Sequence, residues 1–587
     1  MKKVILLTVA VAMFIALPLS SVFAYEAFQG PTEVLQYNPD KAYNGYTLFC
    51  TLGSTTHYLI DMKGNVVHTW ECETGPGLYG YLMEDGVLLR GSSDNAAAGA
   101  ADTSKLLSSG GSASGVQEIQ WDGTVTWDWD YYSADSRRHH DFRKIWNNIL
   151  NEYTYISIEW ARLNGDDALA LGANPAYASE WAATATREEG WSPCGIVEIN
   201  ANKQVIWRWN FADHCVQNFD PTNDGGTFVD AAGVTRAGPT YGDPEDYPGK
   251  LNTNGLTYGD TKHVPVNDWN HCNSLDYNQD LDHICINAKH WSEFYVIDHG
   301  ATFVSATDAD ANIAAARSDD GDFLYRFGNP AAYNQGDPAG YHTEGHQQMY
   351  ASHDIQWIGG ANSAYDASEL PGAGNFLIFD NGTWCTNMTH SEVLEIDGGW
   401  NGTAYVNPPD AGYLPNHGGS YGGVGAASYN LSNQVAWYYR SRYMNSFAGM
   451  FISGNQRLPN GNTLIMSGPT GHIFEVTSGD PLGTPAVQPE VVWEYINPHK
   501  RTGQITTTQT DADTNSHMTF RAFRYPADYP GLAGKDLTPK GTITGELEFG
   551  GEPAVSIPIT GWGIPPGTSS EAGGGGAGAG GGGGGGY

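Results

Sequence analysis

The stretch HYLIDMKG (57–64), followed at once by VVHTW (66–70), decides the fold, because the same pair of segments returns five more times along the chain. Counterparts of the first member read VQEIQWDG (116–123), IVEINANK (196–203), FYVIDHGA (294–301), EVLEIDGG (392–399) and HIFEVTSG (472–479). Counterparts of the second read VTWDW (125–129), VIWRW (205–209), FLYRF (323–327), VAWYY (435–439) and VVWEY (491–495). Apolar and polar residues alternate with period two inside each pair, as a half-buried strand requires, and Gly, Asn or Asp stands where the turn wants positive φ. Six antiparallel sheets of this kind, none able to bury both faces alone, predict an all-β chain folded as a six-bladed β-propeller.

Residues 45–70 supply only three strands of the first unit, whereas HMTFRAFRY (517–525) follows the sixth unit without a blade of its own. The C-terminal strand is therefore expected to complete the first blade and close the ring. Units four and five carry insertions, roughly 301–320 and 400–432, between their last two strands, and such insertions are expected to decorate one face, often the functional one. Beyond Pro526 the periodicity decays, and residues 573–586 are twelve glycines and two alanines, a flexible tail. The predicted organisation is a leader over 1–24, a propeller over 25–540 and a C-terminal extension over 541–587.

Composition narrows the function. The 587 residues hold 65 Asp and Glu against 29 Lys and Arg, a net charge of −36, which disfavours nucleic acid and anionic membranes as partners. Met1–Ala24 has two lysines ahead of a short apolar run and ends in Val-Phe-Ala, the pattern of a secretory signal peptide. Its removal leaves −38, and with no later apolar run of about 18 residues the mature chain is expected to be exported, periplasmic or extracellular, without a membrane span. All seven cysteines lie in that mature part, where disulfides are permitted, and no CxxC or Cys/His quartet marks a structural zinc site.

In a propeller the innermost strand of each blade lines the axis, so residues at its mouth converge although distant in sequence. Alignment of the repeats puts His140 (RHHDF), His271 (NHCNSLDY), His353 (SHDIQW) and His517 (SHMTF) at four such mouths, with Ser453 at a fifth. A single histidine there is as readily a hydrogen bond to the next blade. Four at one repeat position point instead to a shared cavity where neutral imidazole serves as nucleophile, base or ligand. His342 and His346 (HTEGH) sit on a loop without further spaced ligands, and the acidic runs 220–226 and 308–322 do not match an EF-hand, so no metal is expected. There is no G-x-S-x-G elbow, phosphate loop or Rossmann fingerprint, and no cofactor is expected.

The segments GYTLFC…YLIDMKGNVVHTW, RRHHDF, NHCNSLDY…NAKHWSEFYVID, FLYRFGNP, HDIQW…NFLIFDNG, QRLPNGNTLIMSGPTGHIFEV…VVWEYINP and FRAFRYPADYPGLAGKDL, which together span about 45–540, resemble the exported bacterial aryl-sulfate sulfotransferase family. The resemblance implies a six-bladed propeller that moves a sulfuryl group from an aryl sulfate donor to a phenol acceptor by ping-pong, through a sulfohistidine and without a nucleotide. It implies His353 as nucleophile, His271 and Asn273 as binders of sulfate oxygens, and His140 as a further site residue; Ser453 and His517 join the substrate-binding set by register. Where the family has arginine in one strand, this chain has Lys289, which keeps the charge but loses the bidentate fork. The second expectation is an exported propeller that binds a ligand or partner without chemistry. A metal- or quinone-dependent dehydrogenase lacks a matching ligand set. The oligomeric state is left open, a homodimer included.

Overall fold

The protein is described from a computed structural model over residues 30–545, apart from 94–109, 134–135, 176–191, 231, 256–267, 336–346, 384–389, 407–431, 442–445, 484–485 and 510–514. The leader, Cys385, His342 and His346, and the chain beyond 545 thus lie outside the described residues.

Six sheets pack side by side through their innermost strands to close a ring, the six-bladed propeller that the repeat predicts. Every recurring pair forms the third and fourth strands of a blade, from Thr56–Ile60 with Val66–Glu71 in blade 1 to His472–Val476 with Val491–Ile496 in blade 6. All six blades carry a bulge at the same place in this pairing, for example between Glu198 and Ile199, between Glu395 and Ile396 and between Glu475 and Val476. The ring closes as expected: Ala522–Pro526 is the innermost strand of blade 1, with Gly45 opposite Pro526 and Phe49 opposite Ala522. Two features lie outside the repeat. Glu33–Tyr37 adds a fifth, outermost strand to blade 6, and the chain after Pro526 returns to blade 1, where the Val66 and Lys540–Gly541 backbones exchange two hydrogen bonds of 2.9 Å.

The tryptophans of the V-x-W-x-W/Y segments fasten one blade to the next. In every segment that carries tryptophan, one indole N–H donates to the turn or insertion of the following blade: Trp70 to the Gln120 carbonyl (3.2 Å), Trp127 to Ala201 (3.0 Å), Trp207 to the Thr302 hydroxyl (3.1 Å), Trp437 to Ser478 (2.6 Å) and Trp493 to Met62 (2.9 Å). The last of these spans the seam between blade 6 and blade 1. A large ring with one polar handle suits this joint, since it fills the wedge between sheets while satisfying a carbonyl that the turn leaves open.

The insertions of blades 4 and 5 do share one end of the ring, but it is not the histidine end. In blade 5, His353 pairs with Phe379 and Val393 with Tyr439 at one end, while Trp357–Phe376 and Ile396–Val435 pair at the other. The connection from Ile396 to Val435 therefore leaves from the end away from His353. The same holds in blade 4, whose insertion forms the helices His299–Thr302 and Ala309–Ala316. The histidine end carries other long connections that the repeat pattern passed over, above all the one between blades 3 and 4, described over 211–230, 232–255 and 268–270.

The axis below the histidines is buried and ionic. Arg521 binds Asp141 (2.9 Å) and Asp354 (2.8 Å), and Arg143 binds Asp141 (2.5 Å) and Asp276 (3.2 Å), every one of these side chains fully buried. Backbone amides of Leu275, Trp357 and Asn455 also donate to Asp141, Asp276 and Asp354, so the plug locks blades 1, 3, 4, 5 and 6 to one register.

Candidate functional site

On top of that plug, four of the expected residues meet. His140, His271 and His353 are almost wholly buried, and the charge of Lys289 reaches all three. The His140 and His271 ring centres are 4.9 Å apart. The inner strands reach this arrangement by leaving regular pairing. Bulges fall between Arg138 and Phe142, between Cys272 and Ser274 and between His353 and Gln356, in three consecutive blades. Backbone φ is positive at His140 (49°), His271 (47°), Asp354 (57°), Ile452 (49°) and Ser453 (97°), a conformation that side chains of this size adopt only where surrounding structure imposes it. Lys289 follows the second strand of blade 4, whose Ala288 pairs with Cys272, and its amide donates to the His271 carbonyl (3.3 Å); Lys289–Trp291 is a 3₁₀ turn closed by Ser292 in the left-handed region.

Each imidazole has a defined setting. The Asn381 amide donates to the carbonyls of Gly449 and Ile452, so its Oδ1 faces His353 as an acceptor, 2.6 Å from Nδ1. His353 therefore carries its proton on Nδ1, and its Nε2 lone pair accepts the Ile452 amide at 3.2 Å. Burial, then the Lys289 charge, holds the His353 pKa well below the ordinary histidine value, so the ring is neutral. His140 is depressed in the same way, first by burial and then by His271, His139 and His353. His271 donates Nδ1–H to the Asp268 carboxylate, and its own pKa is lowered by burial despite that partner. Burial also draws Lys289 down, to about 8, with Asp268 opposing. One cation sits among neutral imidazoles.

The other expected residues serve differently. Asn273 gives its amide to the Ser352 carbonyl (2.7 Å) and accepts from Ser274 and Asn287, so it fixes the backbone just before His353 rather than presenting an oxyanion donor. The Ser453 hydroxyl accepts the Gly468 amide (3.0 Å) within blade 6. His517 is a correction of register. The salt bridges of Arg521 with Asp141 and Asp354 align blade 1 so that Phe520, not His517, occupies the position of His140 and His353; its ring lies 6.1 Å and 6.5 Å from theirs. His517 stands three residues earlier, its Nδ1 2.7 Å from the Asn497 carbonyl at the corner of blades 6 and 1.

Sequence reasoning missed Phe520, Asn381, Asp268 and His290. The last two belong to D-W-N-H (268–271) and K-H-W (289–291), short polar runs whose spacing has no periodicity to betray it. His290 stacks on His271 with ring centres 4.8 Å apart, and one donor atom each of Asp268, His271 and His290 lies within 4.8 Å of the others.

The permitted disulfides do not form among the described residues: Cys50, Cys72, Cys194, Cys215, Cys272 and Cys285 are thiols. Among the described residues no helix is long and apolar enough to cross a membrane.

No family profile and no curated protein matches the chain. Among solved structures it is similar to a protein of unknown function from Bacteroides caccae, with 10% identity and a TM-score of 0.32 over 82% of this chain and 99% of that one. A functionally unknown protein from Desulfotomaculum acetoxidans follows at 6% identity and a TM-score of 0.30, over 82% and 100%. At such scores neither bears on what this chain does.

Proposed function

We propose that the chain is an exported sulfotransferase that moves a sulfuryl group between phenols through His353. The observation that carries this reading is the setting of His353: a neutral imidazole whose proton is fixed on Nδ1 by Asn381, beside a buried lysine. The Nε2 lone pair attacks the sulfur of an aryl sulfate. An N–S bond forms as the S–O bond to the ring breaks, and the phenoxide leaves with the bonding pair and takes a proton from the Lys289 ammonium. An acceptor phenol then returns a proton to Lys289 as its oxygen attacks sulfur, the N–S bond breaks and Nε2 recovers its lone pair. The Lys289 ammonium is the fixed donor that stabilises the charge developing on the transferring oxygens, with the neutral His140 and His271 rings packed beside it.

The second reading, a propeller that binds without chemistry, is favoured by the Ile452 amide, which already occupies the lone pair that would attack. Rapid quench with labelled aryl sulfate separates the two. Transfer predicts acid-labile label on His353 and loss of turnover to background in His353→Ala. Label elsewhere, or full turnover in that variant, rules the assignment out.

A further inference from the structure

The lone pair that would attack sulfur is not open. The Ile452 amide donates to His353 Nε2 at 3.2 Å, from the connection between the last strand of blade 5, Val435–Tyr439, and the first of blade 6, Gly454–Arg457. His353 is buried, whereas Met450 is exposed and Phe451 and Ile452 are partly so, which puts this turn on the solvent side of the imidazole. Asn381 ties the two together: its Oδ1 accepts from His353 Nδ1, and its amide donates to the Gly449 and Ile452 carbonyls. The turn is also seated against blade 6, since a Cβ on Gly468 would stand 2.4 Å from Ile452 Cγ1 and 2.7 Å from the Ser453 nitrogen. Held in this way, Ile452 has a φ of 49° and Ser453 one of 97°. A β-branched residue in the left-handed region is sustained only by its surroundings, and rotation of the Phe451–Ile452 peptide toward negative φ relieves it.

We infer that the Ile452 amide is a movable donor, which caps the His353 lone pair at rest and donates to a sulfuryl oxygen once an aryl sulfate enters. This rests on sulfuryl transfer by His353 and adds a control on the same site. An N–H and a sulfur atom exclude each other at Nε2, because both need its one in-plane lone pair. The amide therefore turns aside before the N–S bond forms. A sulfuryl group carried on Nε2 projects its oxygens around the line of that lone pair, where an amide displaced by the rotation of one peptide meets them. Those oxygens only accept, and an amide that lost its partner in a closed site would be costly to leave unbonded, so the exchange of acceptors keeps it satisfied. Only hydrogen bonds change in this step. The strain at Ile452 favours release, and the new bond adds a backbone donor to the Lys289 ammonium where negative charge develops.

Three forms of the full-length chain test this: the unaltered chain, one in which the α-hydroxy acid of isoleucine replaces the Ile452 N–H by an ester oxygen, and Ile452→Gly. Two rates are read in each. One is carbethoxylation of His353 by diethyl pyrocarbonate, followed by peptide mass spectrometry; the other is single-turnover labelling of His353 by labelled 4-nitrophenyl sulfate. The ester should speed carbethoxylation about 10-fold or more yet slow labelling about 10- to 100-fold, the usual 10²- to 10³-fold loss of one oxyanion donor less the gain from uncapping. Ile452→Gly removes the left-handed penalty that favours release, so carbethoxylation should slow about 5-fold or more, whereas lost packing alone would speed it. Unchanged carbethoxylation in a folded ester form overturns the cap, and faster carbethoxylation with unchanged or faster labelling overturns the donor. Should the ester form misfold by circular dichroism, Ile452→Gly decides, and carbethoxylation that is unchanged or faster there overturns the proposal. Absence of label on the unaltered chain removes sulfuryl transfer and the donor role with it, while the carbethoxylation rates decide the cap by themselves.

Discussion

His353 and Lys289 divide the proposed chemistry by their protonation states. Burial keeps the imidazole neutral far into the acid range and brings the lysine down to about 8. A group with a depressed pKa loses its proton earlier as pH rises, so the cation that neutralises sulfuryl oxygens and protonates the leaving phenoxide fades through about pH 8. The pH profile of kcat/KM should therefore fall on its alkaline side near that value. In Lys289→Arg, where the guanidinium stays charged, that limb should move out of the measured range. An alkaline limb left in place by Lys289→Arg would assign it to another group. At this scale the sequence was partly legible. His140, His271 and His353 do converge, because they sit at like positions of a repeat, and Lys289 joins them from the strand paired with that of His271. His517 does not, because SHMTF resembles SHDIQ in letters while the Arg521 ion pairs set the register three residues further on.

Among the elements, the outer two strands of every blade could be read directly and the inner strands could not. Outer strands have one face on the core and one toward solvent or a neighbour, so apolar alternation survives. The inner strand Ser136–Asn147 reads SRRHHDFRKIWN, because its side chains feed the ionic plug and the histidine cluster instead of an apolar layer. The indole bridges give the motif its structural meaning, and the one at the closing seam is the most exposed to test. Trp493→Phe retains most of the ring but leaves the Met62 carbonyl without its donor, at a cost of about 1–3 kcal/mol. Denaturant melts should register that loss, and a shift below about 0.3 kcal/mol would mean that packing alone holds the seam.

In the whole molecule, buried ion pairs between blades carry the pH dependence. His299, at the start of the blade 4 insertion, lies between Glu198 of blade 3 (2.9 Å) and Asp282 of blade 4 (2.6 Å). Burial alone would lower its pKa, but the two carboxylates raise it to about 10. Because the folded value exceeds the unfolded one of about 6.5, this stabilisation is complete below pH 6.5 and is lost as pH rises toward 10. The melting temperature should drop between pH 7 and 10, and His299→Gln should be less stable at pH 7 with a flatter slope; an equal slope in both would place the dependence elsewhere. The thiols give a second whole-molecule test: chain denatured without reductant should react with at least six equivalents of a thiol reagent, and a lower count would mean that disulfides form.

Because Ala522–Pro526 is the inner strand of the blade that begins near Gly45, and because Arg521 and Phe520 reach the axis from it, the fold has a built-in clock. A chain made or threaded from its N-terminus can assemble blades 2 to 6 while blade 1 still lacks a wall and the plug still lacks an arginine. Five-sixths of the ring is then present, but Asp354 lacks the arginine that binds it and Asp141 keeps only Arg143. The site is thus completed only after the other five blades are available, when Ala522–Pro526 finds its place beside Gly45–Cys50.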